Sequence, residues 1–297
     1  MKRIIVGVGE SGAGRHGFDW AVGLAAGTGA EVVVVSAFGP TSPSSLARAD
    51  ELGAIRRNEI DSWLGPLSGS GVDTSVRTVL GDPRVVLLDE ATRLEADLIV
   101  VGREGPRGEP GLLRLGSVVE YLAHHVTIPL AVITADAPNT PRTIVLGVDG
   151  STNGCAAAHW VADIAPTCHP RVVALLVHEP FLEWTPPPDP TVWRRDTEAE
   201  IRNDLAIEPA RAGASVEPFA LRGRPPTDGL LDTASRKGAD LIVVGTRGAG
   251  GFFDLRLGGT ALGVLHRAEC SVVLVPPSYR RYPAGHDGTK MTIADAS

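Results

Sequence analysis

The sequence lacks the features of a secreted, membrane-embedded or metal-binding protein. Its 297 residues include 3 cysteines, and this odd, widely spaced set predicts neither a disulfide framework nor a zinc site. Nowhere does an apolar run approach the roughly 20 residues of a membrane span, and the run at residues 4–8 is too brief for a signal peptide. We expect a cytoplasmic protein with reduced, mostly buried thiols, no metal site and no membrane partner.

Positive charge is also scarce. Lys and Arg number 28 against 35 Asp and Glu, which gives a formal charge of −7. Because proteins that bind nucleic acid usually carry a basic surface, we expect no nucleic-acid partner. A Walker A lysine, a G-x-S-x-G elbow and an H-E-x-x-H helix are missing as well. With no recognisable nucleophile and base, we expect no enzyme.

The chain does contain an internal repeat. The segment ADLIVVG stands at residues 96–102 and again at 239–245, and other matching pairs follow in the same order. A chain of 297 residues suits two domains of ordinary size better than one. Residues 135–141 contain two prolines and are typical of a linker. We predict domains at 1–137 and 138–280, followed by a flexible tail at 281–297.

Each half alternates short apolar strands with helical patterns. The predicted strands are 3–8, 31–37, 74–80, 97–102 and 129–134, then 142–148, 171–177, 215–221, 240–245 and 271–276. The second predicted helix lies around residues 46–64. Another is 117–125, in which Val118, Tyr121 and Leu122 should face the core. Central strands that are apolar on both faces are typical of parallel strands covered by helices. The predicted fold class is therefore α/β with doubly wound parallel sheets, which bind ligands beyond the carboxyl ends of their strands.

A glycine-rich loop follows the fourth strand of the second half. Residues 245–248 read GTRG, and after nine further residues GGT at 258–260 begins a predicted helix. Glycines let the backbone approach a ligand closely, and successive N–H groups can then form a nest for phosphate oxygens. A helix N-terminus adds free N–H donors and partial positive charge, and Arg247 and Arg256 could neutralise phosphate. This loop predicts a phosphate-bearing ligand.

The G-x2-G-x9-G spacing, with the strand-end sequence VDGS at 148–151, resembles the ATP-binding signature of the universal stress protein family. The resemblance covers nearly the whole chain. It implies two tandem Rossmann-like, doubly wound domains, each a five-stranded parallel sheet of order 3-2-1-4-5, packed through their last strands. It also implies ATP as the ligand, with or without Mg²⁺, and a nucleotide-dependent module of stress response and signalling that is at most a slow ATPase. A homodimer and an unknown signalling partner are further implications.

The resemblance also assigns ligand-binding residues in the second half. They are Asp149, Val177, Gly245, Arg247, Gly248, Arg256, Gly258, Gly259 and Thr260. Asp149 would lie near the ribose, Val177 would meet adenine through its backbone, and the glycines would surround the phosphates. Gly259 stands where the family usually has Ser or Thr, so Thr260 would supply the hydroxyl from one place later. We expect this difference to weaken phosphate binding without abolishing it.

The first half departs further from the pattern. Its corresponding residues are Gly9, Gly102, Gly105, Arg114, Gly116 and Ser117. Gly9 stands where the second half has an aspartate, and ten residues separate Gly105 from Gly116 instead of nine. Gly116 and Ser117 nevertheless keep the usual pair, and Arg114 parallels Arg256. The residues leave open whether this half binds nucleotide.

Residues 7–12, Ser117 and Thr260 each have a second interpretation, as a dinucleotide-binding loop for the first and as helix caps for the other two. Residues 7–12 read GVGESG, which matches the dinucleotide-binding fingerprint G-x-G-x-x-G. The second strand, however, ends without the acidic residue that would bind a ribose. Ser117 and Thr260 could simply cap helices, as Ser and Thr often do without any ligand.

The segment 180–190 has an unusual composition. It is rich in proline, and with Trp184 and Trp193 exposed nearby it could form a lid or a partner site, or serve only as a connection. The altered loops also allow a different function for the whole chain. In that alternative, the protein keeps the fold but binds no nucleotide and acts as an interaction protein.

Overall fold

The computed structural model describes residues 1–9, 13–39, 49–64, 71–103, 115–179, 189–248 and 257–279. The first half contains β1 (Arg3–Gly7), α1 (Ala13–Thr28), β2 (Glu31–Phe38), α2 (Ala49–Leu64), β3 (Thr74–Leu80), α3 (Pro83–Arg93), β4 (Leu98–Gly102), α4 (Ser117–His125) and β5 (Leu130–Ile133). The alternation of strand and helix matches the prediction from apolar periodicity, with boundaries that differ by a few residues. The segment 46–48, predicted to begin the second helix, lies outside the described residues.

The second half repeats this order. It contains β6 (Thr143–Gly147), α5 (Thr152–Cys168), β7 (Arg171–His178), α6 (Pro190–Glu200), a π-helical turn (Ile201–Leu205), α7 (Ile207–Arg211), β8 (Ser215–Arg222), α8 (Pro226–Lys237), β9 (Leu241–Gly245), α9 (Gly259–Arg267) and β10 (Ser271–Val275). The predicted tail at 281–297 lies outside the described residues. Among the helices that the structure does describe, none combines the length and the apolar character needed to cross a membrane.

All ten strands form one sheet of order β3-β2-β1-β4-β5-β10-β9-β6-β7-β8. Within each half the strands are parallel, and their order is the predicted 3-2-1-4-5. The halves join where β5 and β10 run antiparallel, with Val132 opposite Val272. The last strand of each half thereby gains a neighbour, so the edges of this sheet are β3 and β8.

The apolar core lies on both faces of this continuous sheet. Along β1, Ile4 packs against the helices of one face and Ile5 against those of the other, because successive side chains of a strand point to opposite sides. Trp160 of α5 and Phe18 of α1 are among the largest fully buried side chains. Burying each such side chain contributes roughly 1.5–3 kcal/mol. Covered faces of this kind are the reason that the central strands are apolar throughout.

Helices α1 and α5 pack against each other across the joint between the halves. Glycine is required here because a Cβ atom at Gly27 would lie 2.1 Å from Cγ2 of Thr167, and one at Gly23 would lie 2.2 Å from the carbonyl oxygen of Asn139. Beside the antiparallel strands, the Thr134 N–H donates to Oγ of Ser271 at 3.1 Å. These close contacts position the strand ends of one half relative to the other.

The structure corrects three predictions about burial. In α4, Val119, Leu122 and Ala123 are buried, whereas Val118 and Tyr121 are only partly buried. Tyr121 instead faces α3, where the guanidinium of Arg84 lies 5.6 Å from the centroid of its ring.

Trp193 was expected to be exposed but is half-buried, since it packs against the core beneath α6. The thiols are all free, yet Cys155 is exposed, and Cys168 and Cys270 are partly buried. Burial raises the pKa of both Cys168 and Cys270 to about 11. These two thiols are therefore protonated and unreactive at neutral pH.

Candidate functional site

The turn between β6 and α5 presents the carboxylate of Asp149 at the edge of the sheet. Gly150 follows with φ of +71°, a conformation that favours glycine. The Ser151 side chain caps α5, because its Oγ accepts a hydrogen bond from the N–H of Gly154 at 3.0 Å. Oδ1 of Asp149 in turn accepts from the Ser151 N–H at 3.0 Å and from its hydroxyl at 2.6 Å. These bonds fix the carboxylate, which remains exposed to solvent.

The neighbouring strand β9 ends at Gly245, where α5 approaches closely. A Cβ atom at Gly245 would lie 2.8 Å from the backbone of Asn153, so this glycine serves helix packing whether or not it meets a ligand. Thr246 comes next and is buried. Its N–H donates to the carbonyl of Val275 at 2.9 Å, and its hydroxyl donates to Oδ1 of Asn153 at 3.2 Å. The start of the glycine loop is therefore anchored on both sides.

Both ends of the glycine loop come together beside Asp149. The Gly258 N–H donates to the Thr246 carbonyl at 2.8 Å, and a Cβ atom at Gly258 would lie 3.3 Å from Cα of Arg247. A Cβ atom at Gly248 would lie 2.8 Å from Oδ2 of Asp149. The structure thus brings Asp149, residues 245–248 and Gly258 together at the carboxyl ends of two adjacent strands, where such sheets bind ligands.

Helix α9 begins at this edge. Its N-cap residue is Gly258, which has no side chain to accept a hydrogen bond from the first turn. Gly259 and Thr260 are the first two helical residues, and a Cβ atom at Gly259 would have open space around it. Helix α4 begins in the same way, with Gly116 as the cap and Ser117 as the first residue. The interpretation of Ser117 and Thr260 as caps is therefore wrong, since a glycine holds that position in both helices.

Val177 lies near the end of β7, in register with Leu221 of β8. Its side chain is directed at α8, because a Cβ atom at Gly229 would lie 2.7 Å from Cγ2 of Val177. His178 ends the strand, and its ring centroid is 6.1 Å from that of Trp193. An indole ring and an imidazole ring therefore adjoin the carboxyl end of β7.

At the strand ends that the structure describes, the first half has a similar backbone with different side chains. Gly9 lies in open space where the second half has Asp149, and Gly102 contacts α1 so closely that a Cβ atom would lie 2.0 Å from the Ala13 carbonyl oxygen. Arg103 takes the place of Thr246, since its N–H donates to the carbonyl of Ile133 at 2.7 Å as the Thr246 N–H does to Val275.

The buried Arg103 side chain crosses to the other half of the molecule. Its guanidinium donates to the carbonyls of Leu265 at 2.9 Å, His266 at 3.2 Å and Ala268. These carbonyls end α9, and a cation at a helix C-terminus is favourable. Burial lowers the pKa of Arg103, and within the described part of the chain its Nε has no hydrogen-bond partner.

Sequence reasoning missed Arg103. Comparing Gly102-Arg103 with Gly245-Thr246 within the repeat could have identified it as a residue in which the halves differ. Three predicted ligand-binding residues, Gly105, Arg114 and Arg256, lie outside the described residues. So do positions 10–12 of the dinucleotide-like pattern and positions 180–188 of the proline-rich segment.

Comparison with known proteins agrees with this architecture. A family model described as the universal stress protein family matches residues 1–134 and 140–276. A universal stress protein of Mycolicibacterium smegmatis is 30% identical over 220 residues, which cover 72% of each chain. One from Thermus aquaticus is 32% identical over 136 residues, which are 45% of this chain and 98% of that one.

The fold itself also has a close match among solved structures. A universal stress protein of Archaeoglobus fulgidus superimposes with a TM-score of 0.70 at 17% sequence identity, covering 93% of this chain and 98% of that one. The chain therefore belongs to the universal stress protein family and carries two copies of its domain in tandem.

Proposed function

We propose that this protein is an ATP-binding regulatory module of the stress response, and that its working nucleotide site lies in the second half. The observation that carries the proposal is the meeting of Asp149, Gly248 and Gly258 at one edge of the sheet. A Cβ atom at Gly248 would lie 2.8 Å from the Asp149 carboxylate. The hydrogen bond from Gly258 to Thr246, at 2.8 Å, closes the loop around this point.

The phosphates would lie against the N-terminus of α9. The first-turn N–H groups of this helix face no capping side chain from Gly258, and such groups favour an anion. The backbone at Gly248 is exposed, and Arg247 and Arg256 would supply positive charge. Mg²⁺ could accompany the phosphates. Local donors of this kind are sufficient for a small anion despite the formal charge of −7.

The ribose and the base would lie toward β6 and β7. Asp149 is an exposed acceptor held in place by Ser151, which suits the hydroxyl groups of a ribose. Val177 would meet adenine at the carboxyl end of β7. Binding would change the loops around residues 245–260, and a signalling partner or a second copy in a homodimer would recognise that change.

The first half would bind nucleotide weakly or not at all. Gly9 offers no carboxylate, and Arg103 is committed to the carbonyls that end α9. We retain domain limits of 1–137 and 138–280 for the two units, the first of which would then be chiefly structural. One nucleotide per chain is the expected stoichiometry.

The test combines calorimetry with analysis of any nucleotide that copurifies. One portion of the protein is denatured and the released nucleotide is identified by chromatography, and a second, nucleotide-free portion is titrated with Mg-ATP. We expect one site per chain. Asp149→Asn should weaken binding about tenfold, because the substitution replaces a charged carboxylate acceptor with a neutral amide, and hydrogen bonds to charged groups are the stronger ones. Gly248→Val should weaken it further, since its side chain would displace the Asp149 carboxylate.

The matched control is Gly9→Ala. Gly9 is the first-half residue equivalent to Asp149, and there is open space for the added methyl group. This variant should leave ATP binding unchanged. Two sites per chain would show that the first half tolerates its altered loops. No binding by either method would favour the alternative, an interaction protein whose glycine loops are inherited architecture.

A further inference from the structure

The two halves differ in a second place, the groove between each outer strand and the helix that follows it. In the first half, Glu90 of α3 fills this groove and is buried. Its Oε2 accepts from Nε of Arg77 at 2.6 Å and from the guanidinium of Arg93 at 2.6 Å. One carboxylate shared by two arginines thus closes the groove.

The second half has different residues at these three positions. Gly81 and Gly223 follow the two outer strands, so Arg77 corresponds to Phe219. Gly7 and Gly147 end the equivalent strands β1 and β6. A Cβ atom at Gly7 would contact Leu87 of α3, and one at Gly147 would contact Leu230 of α8, so these two leucines are equivalent and align the two helices.

By that helix alignment, Glu90 corresponds to Thr233 and Arg93 to Arg236. The carboxylate and one arginine have been replaced by a buried threonine and a phenylalanine. The positive charge of the remaining arginine is kept.

The result is a pocket of about 80 Å³ that is open to solvent. Phe219 and Leu221 form an apolar wall, and the remaining lining consists of Thr233 and a rim of three cationic residues and one acidic residue: Arg224, Arg236, Lys237 and Asp232. The Lys237 ammonium also lies over the Phe219 ring, 5.4 Å from its centroid. An apolar wall under a cationic rim is suited to a molecule with an apolar body and an anionic end.

The acidic groups at this rim do not cancel its positive charge. Asp232 is shared by Arg224 at 2.8 Å and Arg236 at 3.0 Å. Glu217 lies 2.5 Å from Lys237 and also binds Arg171 on its other side. Each carboxylate therefore serves two cations, and the place that Glu90 fills in the first half is uncharged in the second.

We propose that this pocket is a second ligand site, which binds small carboxylic acids with an aromatic or aliphatic body. The ligand carboxylate would take the place of the missing glutamate, beside Arg236 and Lys237, and its body would lie against Phe219 and Leu221. The site shares no residue with the candidate nucleotide site, so it stands whether or not the chain binds ATP.

The probe is phenylacetate, compared with the neutral phenylacetamide in ligand-observed NMR and calorimetry on the full chain. We expect phenylacetate to bind and phenylacetamide to bind at least about fivefold more weakly, the worth of a partly exposed ion pair. Equal affinity for acid and amide, or no binding of phenylacetate at millimolar concentration, would overturn the proposal.

A double variant, Phe219→Arg with Thr233→Glu, rebuilds the cluster of the first half around Arg236. It should abolish phenylacetate binding while the Mg-ATP titration remains that of the original protein. Arg236→Gln is a milder variant. Because the Arg236 side chain is 72% exposed, we expect this variant to fold normally. It should weaken phenylacetate binding about threefold, in line with a partly screened ion pair. Unchanged binding in both folded variants would place the ligand elsewhere and refute the assignment.

Discussion

The residue after β4 and the residue after β9 occupy equivalent places in the two halves, yet they do different things. Thr246 is a buried threonine that ties the glycine loop to α5 through Asn153. Arg103 sends a guanidinium across the joint to the carbonyls that end α9. The comparison teaches that a position at the start of a ligand loop can become an interdomain contact after duplication, because its backbone is fixed by the sheet and its side chain is not.

The grooves beside the outer strands show the same kind of divergence. Glu90 is held between Arg77 and Arg93 in the first half, whereas Phe219 and Thr233 leave a pocket in the second. In both places the strands and helices keep their positions, since their buried apolar faces tolerate little change. Side chains at strand ends and helix surfaces are free of that restriction. Three substitutions, whose expected effects decrease from Arg103→Ala to Gly259→Ser, test the contrast between the halves.

The largest effect should come from Arg103→Ala. The substitution leaves the terminal carbonyls of α9 without their donor and creates a cavity at the joint, so we expect the free energy of unfolding to fall by about 3 kcal/mol. The measurement is urea denaturation followed by circular dichroism. The matched control is Thr246→Ala, which removes one hydroxyl hydrogen bond and should cost about 1 kcal/mol.

A loss for Arg103→Ala no greater than that for Thr246→Ala would break the comparison. It would mean that the cross-half hydrogen bonds contribute little net stability. In that event the antiparallel pairing of β5 with β10 and the packing of α1 on α5 would hold the halves together unaided.

A smaller effect, with a pH signature, is expected for Glu90→Gln. Hydrogen bonds from Arg93, and then from Arg77, hold the pKa of Glu90 below its ordinary value of 4.5, against the opposing effect of burial. A carboxyl with a lowered folded-state pKa contributes stability that is present above the unfolded value and is lost as pH falls through the folded value. At neutral pH the variant should lose about 2 kcal/mol of unfolding free energy.

The difference between wild type and Glu90→Gln should therefore shrink below pH 4.5, as measured by urea denaturation across a pH series. Thr233→Val is the control in the second half, where the equivalent position carries no charge. Its effect should be the same at every pH. A Glu90→Gln difference that is equally independent of pH would show that the carboxylate is not the stabilising form.

The smallest effect is expected for Gly259→Ser, which gives α9 the residue that begins α4. A Cβ atom at Gly259 meets nothing within 4 Å, so the new side chain fits without rearrangement. If the α9 N-terminus binds phosphate, the added hydroxyl should raise ATP affinity about threefold, the worth of a weak hydrogen bond. Calorimetric titration with Mg-ATP measures this, and Ser117→Gly is the reciprocal control. An affinity that falls in Gly259→Ser would contradict the phosphate placement.

Much of this molecule could be predicted from its residues. Continuous apolar runs such as β1 and β4 indicated buried parallel strands, and the repeat of ADLIVVG indicated two similar units. The side chains that face the core in α4 were predicted less well. Val118 and Val119 are chemically alike and adjacent, so the packing of α4 against its neighbours decides which of them is buried. One such neighbour is Arg84 of α3, which lies over the Tyr121 ring. Local apolar spacing does not contain that contact.

The candidate site was predictable to a similar extent. The sequence indicated that Asp149, Gly248 and Gly258 belong to strand ends of one sheet edge, because parallel strands share that edge. It did not indicate that Gly258, not Thr260, caps α9, since Ser and Thr are the usual caps. It also did not indicate the partner of Arg103, which lies more than a hundred residues away in the other half.

By itself, the sequence determined the strands, the helices and their duplication, because periodicity and composition act over short distances along the chain. The resemblance implied that the halves pack through their last strands, but only the tertiary structure decided that β5 and β10 run antiparallel in one continuous sheet and that Arg103 crosses the joint. It also decided that the groove closed by Glu90 in one half is open beside Phe219 in the other. These features depend on which distant side chains share a space, and that is fixed when the halves pack together.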